Sequence, residues 1–176
     1  IYIDFDPGSS TGARKLLPGR NLSLSSTDGW DNAIWIEGWT PQILVPDPSS
    51  NEPKQVTDAN FKLVVDPGGR SVTIRIPKSQ FSQLDFEKWG FAVVILGQEG
   101  YPAAGVWRVR DVETQSAQWR FGGAPTDLNH TRVIDIIWPA DSDPTQVNML
   151  SNYPPSNLNA DQLTADDYGI INLLLP

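Results

Sequence analysis

The chain has 176 residues, no cysteine, a single histidine and a formal net charge of −8. That is room for one domain with a sizeable core. It excludes disulfides, Cys-built zinc sites and multi-histidine metal centres, and the acidic balance argues against nucleic acid, whose phosphates demand a basic surface. Fifteen prolines, 14 glycines and 39% hydrophobic residues in many short runs predict an all-β architecture with frequent turns, and no segment approaches the roughly 20 apolar residues of a membrane-spanning helix.

Ile1 to Asp6 alternates with a period of two and reads as the middle of a strand. Upstream strands are therefore expected to be missing, which leaves a sheet edge that the absent N-terminal segment or a second copy would cover. Asp6 to Gly12 is a loop by its turn chemistry, and Asn21 to Leu24 is a short second strand. In the stretch Ala33 to Val45, Ala33, Trp35, Glu37 and Trp39 share one face of an extended strand, with Ile34 and Ile36 on the other. Asn60 to Val65 and Ser71 to Ile76 form a hairpin around Asp66-Pro67-Gly68-Gly69-Arg70. Pro77 to Phe81 suits a single helical turn. Trp89 to Leu96 is a near-continuous apolar run, predicted as a central strand buried on both faces.

Val106 to Val109 resumes a strand, and Trp119-Arg120-Phe121-Gly122-Gly123 ends in a sharp bend with Trp119 expected to plug one end of the fold. Val133 to Trp138 is a strand stopped by Pro139, and Asp143 followed by Pro144 signals the start of a short helix. Tyr168 to Pro176 is predicted to dock as a last strand. With no internal repeat and no linker, residues 1–176 are expected to form a single antiparallel β-sandwich, jelly-roll-like, with one or two short helices.

Asp4 and Asp6 lie on the same strand face and open onto Ser9, Ser10 and Thr11. Such a loop can supply the six to eight oxygens that calcium takes; the plainer reading has Asp6 capping a turn and Asp4 facing solvent. Asp135, Asp141 and Asp143 form another acidic group, with Asp143 better explained as a helix cap, and Asp161, Asp166 and Asp167 read as a solvated face. No spacing singles out a carboxylate pair for glycoside chemistry. His130, in Leu-Asn-His-Thr-Arg, reads as a surface histidine without a nucleophile. An enzyme is not expected.

Seven tryptophans exceed what such a core needs. Trp89 and Trp138 flank buried-looking strands and read as core. Trp30, Trp35 and Trp39, with Glu37 between the last two, are the candidates for a carbohydrate-binding platform. Indole faces stack on pyranose C–H groups while a carboxylate takes their hydroxyls. Packing under a second layer is the alternative.

Tyr2-Ile3-Asp4-Phe5-Asp6-Pro7-Gly8, Leu17-Pro18-Gly19-Arg20-Asn21 and the stretch from Trp30 through Ile36-Glu37-Gly38-Trp39 resemble successive blocks of the C-terminal glucodextranase-type binding module. Trp119 to Gly123, Val133 to Ile137 and a short helix from Gln146 to Tyr153 resemble its closing blocks in the same order. The resemblance implies an antiparallel β-sandwich related to family 9 carbohydrate-binding and DOMON-like domains. It also implies a non-catalytic accessory role, secreted or at the cell surface, with an α-glucan or cell-wall glycan as partner. Within that kinship, a haem site would have to use His130 and Met149; a structural, calcium-stabilised assembly domain is the other alternative.

Overall fold

The computed structural model describes residues 1–37, 41–50, 52–57, 60–98 and 109–176. Its elements run β1 (Tyr2–Asp4), β2 (Leu22–Leu24), β3 (Asn32–Trp35), β4 (Gln42–Val45), β5 (Lys54–Gln55), β6 (Lys62–Asp66), β7 (Ser71–Arg75), β8 (Gly90–Ala92), β9 (Val94–Leu96), β10 (Val133–Ile136), α1 (Gln146–Ser151) and β11 (Gly169–Ile171). Single 3-10 turns lie at Lys78–Gln80, Phe86–Lys88 and Ala165–Asp167. The fold is all-β. Among the described residues, no helix is long and apolar enough to cross a membrane.

The centre is a five-stranded sheet in the order β5-β4-β3-β1-β8, antiparallel at every pairing. Its register explains how one sheet serves two cores. Ala92, Tyr2, Ala33 and Leu44 stand opposite one another across four strands, so their side chains share one face. That face packs on Leu16, Leu17, Leu22 and Leu24. The alternate residues Ile3 and Ile34 turn to the other face and meet Phe5 and Trp89. There the rings of Phe5, Phe81 and Phe86 surround Trp89, with centroids 4.8, 5.0 and 4.5 Å from it.

Outside this sheet β9 pairs with β10, β6 with β7, and β11 runs parallel to β2. The first core is closed by α1 and β11, with Met149 buried beneath them. The β6–β7 hairpin forms as its turn chemistry requires, Gly69 N–H donating to Asp66 Oδ1 at 3.0 Å.

Four expectations need correction. The run Trp89 to Leu96 is two strands, not one: β8 ends the central sheet, β9 joins β10, and Ile95 is exposed. The Val93 carbonyl between them accepts from Ile137 N–H at 3.0 Å, which ties the chain to the second sheet. The helix is capped by Thr145, whose hydroxyl accepts from Asn148 N–H at 3.2 Å, rather than by Asp143. His130 is buried, its Nδ1 2.6 Å from the Asp127 carbonyl and its Nε2 3.2 Å from Asp111 Oδ1, because loops remote in sequence close over it. Trp119 plugs nothing; it is 75% exposed. The strand expected at Val106 to Val109 lies mostly outside the described residues, although Val109 bridges Gln98.

Candidate functional site

The turn Leu17-Pro18-Gly19-Arg20-Asn21 aims a guanidinium inward. Gly19 (φ 81°) and Asn21 (φ 54°) both adopt left-handed backbone around Arg20, as Gly and Asn do more readily than other residues. Arg20 is buried, donates from Nη1 to the Pro18 carbonyl at 2.7 Å, and lies over the Trp35 ring at 5.0 Å from its centroid. No carboxylate pairs with it among the described residues. Burial pulls its pKa down, and the same burial pushes the Tyr2 phenol up. The charge is held by the indole face, the carbonyl and the phenol, a cation–π arrangement that gains strength when desolvated.

Trp35 and Arg20 form part of a cleft of about 700 Å³ whose walls include Glu37, Gln98, Val72 and Ile95. Glu37 accepts a hydrogen bond from the Gln98 amide. Two of the sequence candidates, Trp35 and Glu37, thus meet at one cleft. Trp30 does not join them. It is 3% exposed, donates from Nε1 to the Lys15 carbonyl at 2.8 Å and meets Tyr2 edge-on at 5.7 Å, so its indole is core. Trp39 lies outside the described residues.

A larger hollow, about 910 Å³, shares Leu17 with the cleft. Its cations are already engaged: Arg14 pairs with Asp166 at 2.8 Å and Lys15 donates to the Leu163 carbonyl at 3.0 Å. These contacts hold the chain's last loops against β2.

The acidic candidates Asp4 and Asp6 are joined by a third residue. Asp31 Oδ2 accepts from Phe5 N–H at 2.8 Å, and carboxylate oxygens of Asp4, Asp6 and Asp31 all lie within 4.8 Å of one another. Asp4 is 1% exposed rather than facing solvent; its Oδ1 accepts from Asp6 N–H at 2.9 Å and its Oδ2 from Gly29 N–H at 3.0 Å. Asp6 Oδ1 accepts from the Thr11 hydroxyl at 2.8 Å. Burial holds the Asp4 and Asp31 carboxyls above the usual carboxylate range. Each carboxylate oxygen has a second lone pair, so the set suits a hard cation such as calcium. Asp31 was not a candidate in the sequence, because only the β1–β3 register, with Asp31 N–H donating to the Ile3 carbonyl at 2.8 Å, brings it beside Asp4. Of the other acidic residues, Asp135 accepts from Gln146, while Asp166 and Asp167 hold Arg14 and Thr164.

Among the described residues, strands in several sheets and one short helix define an all-β module. Residues 1–164 match the family model of the SLH-like C-terminal binding module of glucodextranase, and the chain belongs to that family. It is thus a binding module by family. No curated protein and no solved structure matches the chain.

Proposed function

We propose that this chain is a non-catalytic carbohydrate-binding and cell-surface-attachment module of a secreted glucan-degrading enzyme or surface protein. The family match over residues 1–164 to a binding module carries this reading. The cleft supports it: the Trp35 indole lines it beside Glu37 and Gln98, hydrogen-bonding groups at the scale of sugar hydroxyls. Affinity electrophoresis in soluble starch, dextran, pullulan and cell-wall glycan tests it, with retardation expected in at least one gel. Trp35→Phe, which keeps a packed ring, and Glu37→Gln are each expected to weaken retention about threefold to tenfold, the worth of about 0.5–1.5 kcal/mol of stacking or hydrogen bonding. Unretarded migration in every polysaccharide would sink the reading.

A calcium-stabilised structural role is the second reading, favoured by the arrival of Asp31 beside Asp4 and Asp6. A cation bound only by the folded state raises stability by mass action. Millimolar calcium against chelator is expected to raise the melting temperature by about 3–8 °C, at roughly 2–4 °C per kcal/mol for a chain of this size. An unchanged melting temperature would remove the metal.

A further inference from the structure

The segment between Val112 and Ala124 is built as a display. Glu113 N–H donates to the Phe121 carbonyl at 2.7 Å, Ala124 N–H to the Glu113 carbonyl at 3.0 Å, and Gly123 N–H to the Thr114 carbonyl at 3.2 Å. Gly122 seats directly on the opposite arm, where a Cβ would stand 2.3 Å from the Ser116 nitrogen. Gly123 turns the chain away at φ 98°. At the tip Ala117 and Arg120 exchange both backbone hydrogen bonds, at 3.0 and 3.4 Å, closing a turn on Gln118 and Trp119.

Trp119 occupies the third place of that turn with φ 65°. Positive φ at that place is ordinarily supplied by Gly or Asn, and a bulky side chain there is an outlier. Among the described residues nothing in the packing repays it: the indole is 75% exposed, and Phe121 two residues on is 52% exposed. Stability alone would place neither aromatic there, and backbone strain of this kind concentrates at binding sites.

The surroundings select the ligand. Thr114, Gln115, Ser116 and Gln118 are exposed, uncharged and rich in donors and acceptors. The loop's charges, Glu113 and Arg120, face each other at 3.6 Å. Among the described residues of the loop no excess of cations waits for phosphate or an anionic lipid surface, and the chain's net charge of −8 repels both. An open indole rimmed by neutral amides and hydroxyls matches the apolar face and equatorial hydroxyls of an uncharged hexopyranose. We propose that Trp119 is the stacking platform of a surface site for a neutral hexopyranose polymer, separate from the Trp35 cleft. This rests on the carbohydrate reading above.

The test uses dextran, pullulan and soluble starch as probes in affinity electrophoresis, with acrylamide quenching of tryptophan emission and a melting curve for each protein. Trp119→Asn is expected to weaken retention at least tenfold in the glucan that retards the parent, while melting at the same temperature or higher, since Asn suits the left-handed backbone. Trp119→Phe is expected to keep part of the binding. The glucan is expected to shield the parent's emission from acrylamide, and to leave that of Trp119→Asn unshielded. Equal retardation of parent and Trp119→Asn would overturn the assignment while leaving the carbohydrate reading intact. A fall in melting temperature that accompanies lost retention would make Trp119 a structural residue and equally overturn it. A parent that no glucan retards would end the carbohydrate reading and this site with it.

Discussion

Gly29→Ala is expected to cost about 5 kcal/mol, a large share of the stability of an ordinary domain. A Cβ at Gly29 would stand 1.9 Å from the Thr11 carbonyl oxygen and 2.8 Å from the Gly12 carbonyl carbon. Gly12 faces it in turn, with φ 77° and its own phantom Cβ 2.6 Å from Gly29. Both obstacles are backbone, so no side chain can swing aside. Moving the two segments apart breaks the paired bonds of Ala13 with Trp30, at 3.0 and 2.9 Å, and Ser10 N–H to the Thr27 carbonyl at 2.9 Å. It also withdraws the Gly29 N–H from Asp4. At about 1 kcal/mol for each neutral bond and about 2 for the one to a carboxylate, the sum is about 5 kcal/mol. Gly8→Ala is the control: φ is 85° there but nothing lies within 4 Å of the added Cβ, so only left-handed strain of about 1–2 kcal/mol remains. Urea melts of the two variants should separate widely. A Gly29→Ala protein that melts beside Gly8→Ala would mean that the loops are not packed backbone to backbone.

The contrast between those glycines shows what was legible in the sequence and what was not. Local rules carried far: the period of two divided Ala33 from Ile34, the Pro-Gly-Gly turn placed β6 and β7, and Pro77 marked the 3-10 turn. The same rules are blind to which sheet a strand joins. Nothing in Trp89 to Leu96 indicates that Val93 hands the chain from one sheet to another, because alternation encodes faces, not partners. Trp35 illustrates the limit at the site. The period of two groups its face with Ala33 and Glu37, but an indole on a sheet face can be open or covered, and Arg20 arriving from another turn decides that one side is occupied. Asp31 joined the acidic pair through strand register, and His130, beyond its local contact with the Asp127 carbonyl, found Asp111 through loop closure. Trp119 did carry a local signal. Two adjacent glycines after Trp-Arg-Phe signal the bend, but whether the indole beside it plugs the fold or stands open depends on packing that the local pattern does not encode.

Asp4→Ala is expected to destabilise the protein by about 3 kcal/mol, since it strips the acceptor from a buried N–H and from a second, partly buried one. The donors are Gly29 and Asp6, at 3.0 and 2.9 Å. Asp4→Asn keeps one acceptor oxygen and turns an amide toward the other donor, so about 1–2 kcal/mol should be lost near pH 4. The gap between parent and Asp4→Asn is then expected to shrink as pH rises. Burial raises the Asp4 carboxyl above its ordinary value of 3.8. Between that value and its folded-state pKa the folded chain holds a proton that the unfolded chain releases. Stability therefore falls with rising pH through this window, and only in the protein that retains the carboxyl. Asp31, raised by burial as well, lies within 4.8 Å of Asp4 and is coupled to it, so the gap reads the titration of the pair that the Asp4 carboxyl completes. Urea melts in chelator at pH 4, 5.5 and 7 read the gap directly, and a gap that stays constant would show that Asp4 titrates as it does in the unfolded chain. Added calcium at pH 7 then separates the two uses of the residue. If Asp4 only anchors Gly29 and Asp6, both proteins respond alike; if it also ligates a cation, calcium restores the parent and not the amide, because the cation supplies the countercharge that the buried carboxylates lack.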